Sequence, residues 1–331
     1  MSLSVKRLSI IMLSALFVLT AVLGTSSILA QPAGQDSITG NGFRISPVTS
    51  EFTIEKGQTE VLSITVENPT DAPIVAVPIT NDFLASDKED GEPLPILDDD
   101  APRPRNSFKD LVEPLDNIPL NPREQVTIDV PITVPEDANA GGYYGIVRFE
   151  PADVGDAGNV TLSASVGSIA LIRVPGDLTE RLDLVQLSAS QDGALRSFFT
   201  GGDVDVLVRL RNSGDIHLQP NGRVLIKNMF GDTIESYELN DATPRAYILP
   251  DTIRRFQDSL ENDRWFGRYT IETSIGHMQG GGEPLSAVAT FWYIPVWALI
   301  ALFVAIAAVG FGIISLINRK GNNKKSGKNR K

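Results

Sequence analysis

Few residues in this 331-residue sequence could do acid–base, nucleophilic or metal chemistry, because it has two histidines, His217 and His277, and no cysteine. The missing thiols remove disulfides, iron–sulfur clusters, thiolate metal sites and cysteine nucleophiles together. A serine triad would need an imidazole beside a nucleophile, and no G-x-S-x-G elbow accompanies either histidine. His217 sits in the turn-rich run Asn212-Ser213-Gly214-Asp215-Ile216-His217 and reads as a loop residue, while His277 precedes Gly280-Gly281-Gly282 and reads as a strand end. Clustered carboxylates are the other candidate: Asp87, Glu89, Asp90, Glu92, Asp98, Asp99 and Asp100 suit a hard cation such as calcium by charge alone. They lack the glycine, spacing and closing glutamate of an EF-hand loop, so the reading is a solvated acidic segment. A glycosidase pair is identified by geometry, and among 41 acidic residues a chance pair is expected. Gly141, Gly142 and Gly145 flank a strand-like run, which implies a bend and a close approach rather than a phosphate loop. The expectation is therefore no catalytic residues, no metal site, no cofactor and no enzyme.

The elements around these residues set a topology. Lys6 and Arg7 precede the apolar run from Leu8 to Leu23 and then the small residues Gly24, Thr25, Ser26, Ser27 and Ala30, the order of a secretory signal over residues 1–30. Cleaved or kept as an anchor, it places the downstream chain outside. The 24 residues from Ile294 to Ile317 carry no charge and span about 36 Å as a helix, more than a bilayer's hydrocarbon core. Phe291, Trp292, Tyr293 and Trp297 gather at one end of this run, where amphipathic rings favour the interface, so the expected transmembrane helix is 291–317. Seven basic residues lie in the tail, 318–331, which the positive-inside bias puts in the cytoplasm. Every Asp and Glu lies between Asp36 and Glu283, so the exported middle is far more acidic than the net charge of −12. That field repels nucleic acid.

Between Gly42 and Pro284 short runs rich in Val, Ile, Thr and aromatics alternate with Gly, Pro and Asn, without sustained helical periodicity. In Val61–Val66 apolar and polar residues alternate with period two, and Asn68-Pro69-Thr70-Asp71 turns the chain. Two series of about seven strands predict an all-β ectodomain of two tandem immunoglobulin-like or fibronectin type III-like sandwiches, residues 41–176 and 177–290, parted near Pro175-Gly176. The Pro-broken acidic stretch 81–106 is expected to be a long surface insertion in the first.

The segments Gly42-Phe43-Arg44-Ile45-Ser46-Pro47, Ile64-Thr65-Val66-Glu67-Asn68-Pro69-Thr70 and Gly141-Gly142-Tyr143-Tyr144-Gly145-Ile146-Val147 resemble the WxL-interacting protein family of bacterial surface proteins. So do Asn212-Ser213-Gly214-Asp215-Ile216-His217, Ile248-Leu249-Pro250, Gly267-Arg268-Tyr269 and Phe291-Trp292 in the second half. The resemblance implies a first domain that binds peptidoglycan or other wall proteins, a second that contacts external partners, and a single-pass anchor in a bacterial plasma membrane with the C-terminus cytoplasmic. It carries no residue-level site. Three function classes remain: a surface binding protein whose partner is cell-wall polymer or another surface protein, an extracytoplasmic assembly chaperone of β-sandwich type, and a cell-wall hydrolase. The first accounts for export, anchor, sandwiches and the missing catalytic residues together.

Overall fold

The computed structural model describes residues 38–39, 42–98, 100–152, 165–260, 266–277 and 284–326. The expected signal, 1–30, and the end of the basic tail, 327–331, lie outside the described residues. The first sandwich runs through β1 (Ile38–Thr39), β2 (Arg44–Ser46), β3 (Thr49–Thr53), β4 (Thr59–Glu67), β5 (Ile74–Ala85), β6 (Pro93–Pro95), a 3-10 turn at Phe108–Asp110, β7 (Ile118–Leu120), β8 (Gln125–Thr133), β9 (Gly141–Pro151) and β10 (Val166–Val174). The second comprises β11 (Leu182–Gln191), β12 (Ala194–Leu195), β13 (Phe198–Phe199), β14 (Asp205–Asn212), β15 (Pro220–Lys227), β16 (Thr233–Leu239), β17 (Ile253–Ser259), β18 (Gly267–His277) and β19 (Leu285–Tyr293). A helix, α1 (Val296–Ser326), comes last. The expected all-β architecture with one C-terminal apolar helix is what the chain adopts.

The two sandwiches repeat one topology. In the first, the sheet β1-β2-β4-β8 faces the sheet β3-β10-β9-β5, to which β6 and β7 add at opposite ends of β5. In the second, β12-β11-β14-β17 faces β13-β19-β18-β15-β16. Each begins with a strand paired antiparallel in one sheet and then crosses to pair parallel with the last strand of the other: β2 gives way to β3 beside β10, and β11 to β13 beside β19.

Period-two patterning decides the faces. In β4, Leu62, Ile64 and Val66 are buried, while the outward residues pair with β8 through Ser63 Oγ, which donates to Asp129 Oδ1 at 2.7 Å, and a Thr65–Thr127 hydroxyl contact of 3.0 Å. Strand β9 keeps the period of two but buries both faces, because Tyr143, Val147 and Phe149 enter the first core while Ile146 packs on the opposite face with Phe83 and Leu171. Gly145 in the same strand leaves room for the Phe108 ring, which would collide with any Cβ there. At Gly145 the expected close approach is therefore made by a buried aromatic ring, while Gly141 meets the Asn106 side chain.

Two expectations are corrected. The stretch 81–106 does not begin as a surface insertion, since β5 continues through Asn81, Asp82 and Phe83, all buried. Partners distant in sequence make those polar residues tolerable: Asp82 accepts from Ser107 Oγ at 2.7 Å and the Phe108 amide at 2.6 Å, and Asn81 Oδ1 accepts from Arg148 Nε at 2.9 Å. The helix does not begin at residue 291, because Phe291, Trp292 and Tyr293 complete β19 against β18 and Phe291 is fully buried. Pro295 lies just before Val296, where its missing N–H costs the helix nothing. Within α1, Val296–Ile314 is long and apolar enough to cross a membrane, and none of it is buried in the protein.

Candidate functional site

Neither histidine stands free in a loop. His217, expected as a loop residue, is buried where the two sandwiches meet. Its Nε2 donates to Glu51 Oε1 at 3.0 Å, its backbone amide donates to Tyr144 Oη at 2.7 Å, and its ring lies edge-on between Tyr144 and Tyr247. Tyr247 Oη completes the cluster by donating to Glu51 Oε2 at 3.0 Å. Burial, with the Glu51 charge adding to it, pushes the Tyr247 hydroxyl up to about 12, and burial raises Tyr144 further. Both phenols therefore stay neutral, Tyr144 accepting from the His217 amide and Tyr247 donating to Glu51, and the arrangement is a hydrogen-bonded seam. His277 lies apart, with Nδ1 3.7 Å from Glu180 Oε2. Among the described residues no three His, Asp or Glu side chains gather to hold a metal.

The acidic hairpin belongs to this seam. Glu89 reaches across to make a two-pronged ion pair with Arg209, with Arg209 Nε 2.7 Å from Oε2, and its carbonyl accepts from the Arg255 amide at 2.7 Å. Arg209 holds the Glu89 carboxyl below its ordinary range. A solvated-loop reading misses this because the guanidinium comes from β14, 120 residues away. Phe83, Ile146 and Leu171 with Tyr144, Tyr247 and Leu249 form the apolar part of the seam. Beside it opens a cleft of about 580 Å³, lined by Leu84, Tyr144 and Leu249 and by Asn106, whose Oδ1 is buried without a partner.

The seam lies at one end of the second sandwich and α1 at the other. His217 precedes Pro220, which pairs with His277, whereas Lys227 pairs with Thr270 and Gly267 with Tyr293, three residues before the helix. Between these ends runs an unpaired strand edge. Strand β19 pairs along one side with β18, but on its other side β13 covers only Trp292 and Tyr293. The Trp292 amide donates to Ser197 O and the Ile294 amide to Phe199 O, both at 2.8 Å. By the period of two, the amides of Thr290, Val288 and Ser286 point to the same side, where no strand pairs with them among the described residues. Strand β11 runs nearby in the facing sheet without pairing.

This edge also lacks the usual guards. Edge strands are normally blunted by charge, proline or a bulge. Here β8 carries Asp129 and Pro131, β16 carries Glu235 and Glu238, β17 carries Arg254, Arg255 and Asp258, and β11 carries Asp183 and a register shift after Leu184. The run Leu285-Ser286-Ala287-Val288-Ala289-Thr290-Phe291 has none of these, and Val288 is 67% exposed. Sequence patterning shows β19 as a strand but does not show which of its sides is left unpaired.

No family model and no curated protein matches this chain. Among solved structures it is similar to the class 5 fimbriae chaperone CfaA (16% identity, 76% of this chain and 99% of that one, TM-score 0.36). It is also similar to a complex of the Salmonella enterica SafA pilin with the SafB chaperone (12% identity, 75% and 96%, TM-score 0.35) and to the E. coli chaperone DraB (12% identity, 76% and 96%, TM-score 0.33). At these scores the likeness assigns nothing.

Proposed function

We propose that this chain is a membrane-anchored surface protein that binds another surface protein by taking an extended segment of it onto the open edge of β19. The edge carries the reading: seven residues without charge or proline, three amides aimed at an unpaired side, and an exposed Val288 for the incoming side chains to pack against. Strand addition draws affinity from main-chain hydrogen bonds and specificity from alternate side chains, so no catalytic group is required. The apolar helix after β19 supports an anchor, with the sandwiches outside and the basic tail in the cytoplasm. The same edge would serve an assembly chaperone, which differs in releasing its client.

A photo-crosslinking residue in place of Val288, in cells that produce the protein, tests this. The expected product is a stable adduct with a surface protein, absent when the crosslinker replaces the exposed Val61 of the first sandwich. Adducts that form when illumination follows synthesis at once but no longer form one generation later would make the chain a chaperone. Adducts with wall glycan alone would replace the protein partner by peptidoglycan, and release of glycan fragments would make the chain a hydrolase.

A further inference from the structure

The end of the second sandwich from which α1 departs is ringed by exposed apolar side chains. The hairpin joining β15 to β16 projects Met229 and Phe230, which are 44% and 82% exposed. This tip is held rigid by one side chain. Asn228 Oδ1 accepts from the amides of Phe230 at 2.9 Å and Asp232 at 3.0 Å, and Asn228 Nδ2 donates to Asp232 Oδ2 at 3.1 Å. The backbone closes the same turn through Gly231 N to Asn228 O at 3.1 Å and Asn228 N to Asp232 O at 2.9 Å. The amides of Asn228, Phe230, Gly231 and Asp232 are thus satisfied within the turn, its one carboxylate is tied back, and the phenylalanine is presented outward.

Register places the tip beside the membrane helix. Met229 packs onto Gly267, where a Cβ would strike its methyl group. Gly267 pairs with Tyr293, three residues before α1. Strand β15 is two strands from β19, about 10 Å at the usual spacing, so Phe230 stands about that far to the side of the point where the chain turns into the helix. Phe266 (46% exposed) flanks Gly267, and on the β19 side the directly paired Phe198 and Trp292 are 48% and 44% exposed. An isolated exposed apolar side chain is ordinary, but several gathered at one end of a module mark a contact surface.

From this juxtaposition we infer that Met229, Phe230 and Phe266, with Phe198 and Trp292, seat the second sandwich in the outer headgroup layer of the bilayer that α1 crosses. Continuity of chain selects the occupant: a helix that enters the bilayer at Val296 brings these side chains to its surface without any further association. Aromatic rings favour that layer. Docked in this way, the sandwich would hold the open edge of β19 upright from the membrane at a fixed azimuth. The inference rests on the reading of α1 as membrane-spanning.

Because the chain has no cysteine, a single introduced one is a unique labelling site. Full-length F230C, F303C and L94C would each carry an environment-sensitive fluorophore in nanodiscs of phosphatidylcholine and phosphatidylglycerol. All three positions are exposed, so the label displaces no core packing. The expected result is a blue-shifted label at residue 230 that is quenched by headgroup-level spin-labelled lipid and protected from aqueous iodide. The residue 94 label should stay open to iodide, and the residue 303 label should respond to acyl-chain quenchers. A label at 230 open to iodide while 303 is quenched by lipid overturns the docking and leaves the anchor standing. A label at 230 shielded from iodide but untouched by lipid quenchers overturns it in favour of a protein contact. If neither 303 nor 230 meets lipid, the anchor fails and the docking falls with it.

Discussion

In the first sandwich Asn68 closes the end of β4, and in the second Asn212 does the same at the end of β14; both are fully buried. Asn68 Nδ2 donates to the carbonyls of Ala72 and Asn121 at 2.8 and 2.9 Å while Oδ1 accepts from the Thr70 amide. Asn212 Nδ2 donates to Ile216 and Ile248 at 2.7 and 2.8 Å while Oδ1 accepts from the Gly214 amide. The backbone repeats as well, since Asn68 N donates to Glu124 O and Asn212 N to Thr252 O. One device thus clamps the same corner of both modules. What differs is the last strand. In the first module β3 covers β10 from Ile169 to Arg173, whereas in the second β13 covers two residues of β19. The chain reaches β3 three residues after β2, but between β11 and β13 it first turns back through β12. The lesson is that topology and clamp can be held constant while the length of one crossing strand decides whether a sandwich is sealed or offers an edge.

The clamp gives the largest expected effects. Replacing either asparagine by alanine removes all three of these side-chain hydrogen bonds at once; Ile248 O keeps the Leu218 amide and Ala72 O the Thr70 hydroxyl, and each buried group left unsatisfied costs about 1–3 kcal/mol. Asn212→Ala should be the more damaging, at about 3 kcal/mol against about 2 for Asn68→Ala, because both carbonyls that Asn212 serves are buried and those of Asn68 are partly wet. Denaturant-dependent hydrogen exchange resolved by module would measure both. Losses below about 0.5 kcal/mol, the scale of ordinary surface changes, would mean that the shared geometry is incidental.

These asparagines also mark how far the sequence can be read. Asn68-Pro69-Thr70 and Asn212-Ser213-Gly214 announce turns, and the alternation in Val61–Val66 announces the faces of β4, because both signals are local. The clamps themselves are not local: their acceptors at Asn121 and Ile248 lie 53 and 36 residues on. Asp82, Glu89 and His217 fail to announce their partners for the same reason, since Ser107 comes from the start of the 3-10 turn 25 residues on and Arg209 and Glu51 from the other module. The open edge is legible least of all, because it depends on where a neighbouring strand stops.

The seam between modules comes next in size. Glu89 keeps its charge at a lower pH when folded than when unfolded, so the pair with Arg209 stabilises fully above the ordinary glutamate value of 4.5 and fades as pH falls through the lowered one. Glu89→Gln should therefore cost about 1 kcal/mol at neutral pH, as expected for a two-pronged, partly shielded pair, and less as the solution is acidified below pH 4.5. Melting the wild type and variant side by side across that range tests it. A penalty that persists unchanged at pH 3 would show that packing of the hairpin, not its charge, joins the modules.

The smallest effect on stability bears most directly on the difference between the modules. In β10 the Ile169 amide donates to Val48 O at 2.8 Å and the ladder with β3 continues to Arg173, whose carbonyl accepts from the Ile54 amide at 2.9 Å. The alternate amides of β10 should therefore exchange slowly, while those of Ser286, Val288 and Thr290 on β19 should exchange far faster despite lying in an equally regular strand. Val288→Lys puts a charge on the open side, the device by which other edges are guarded, at a position already 67% exposed. It should shift unfolding by no more than about 0.5 kcal/mol, because nothing buried is disturbed. Its effect should instead appear with the partner present: binding should slow exchange at Ser286, Val288 and Thr290 in the wild type and leave those amides fast in Val288→Lys. Slow exchange at these three amides in the free protein would mean that the edge is already covered, and the two modules would then not differ where the comparison places the difference.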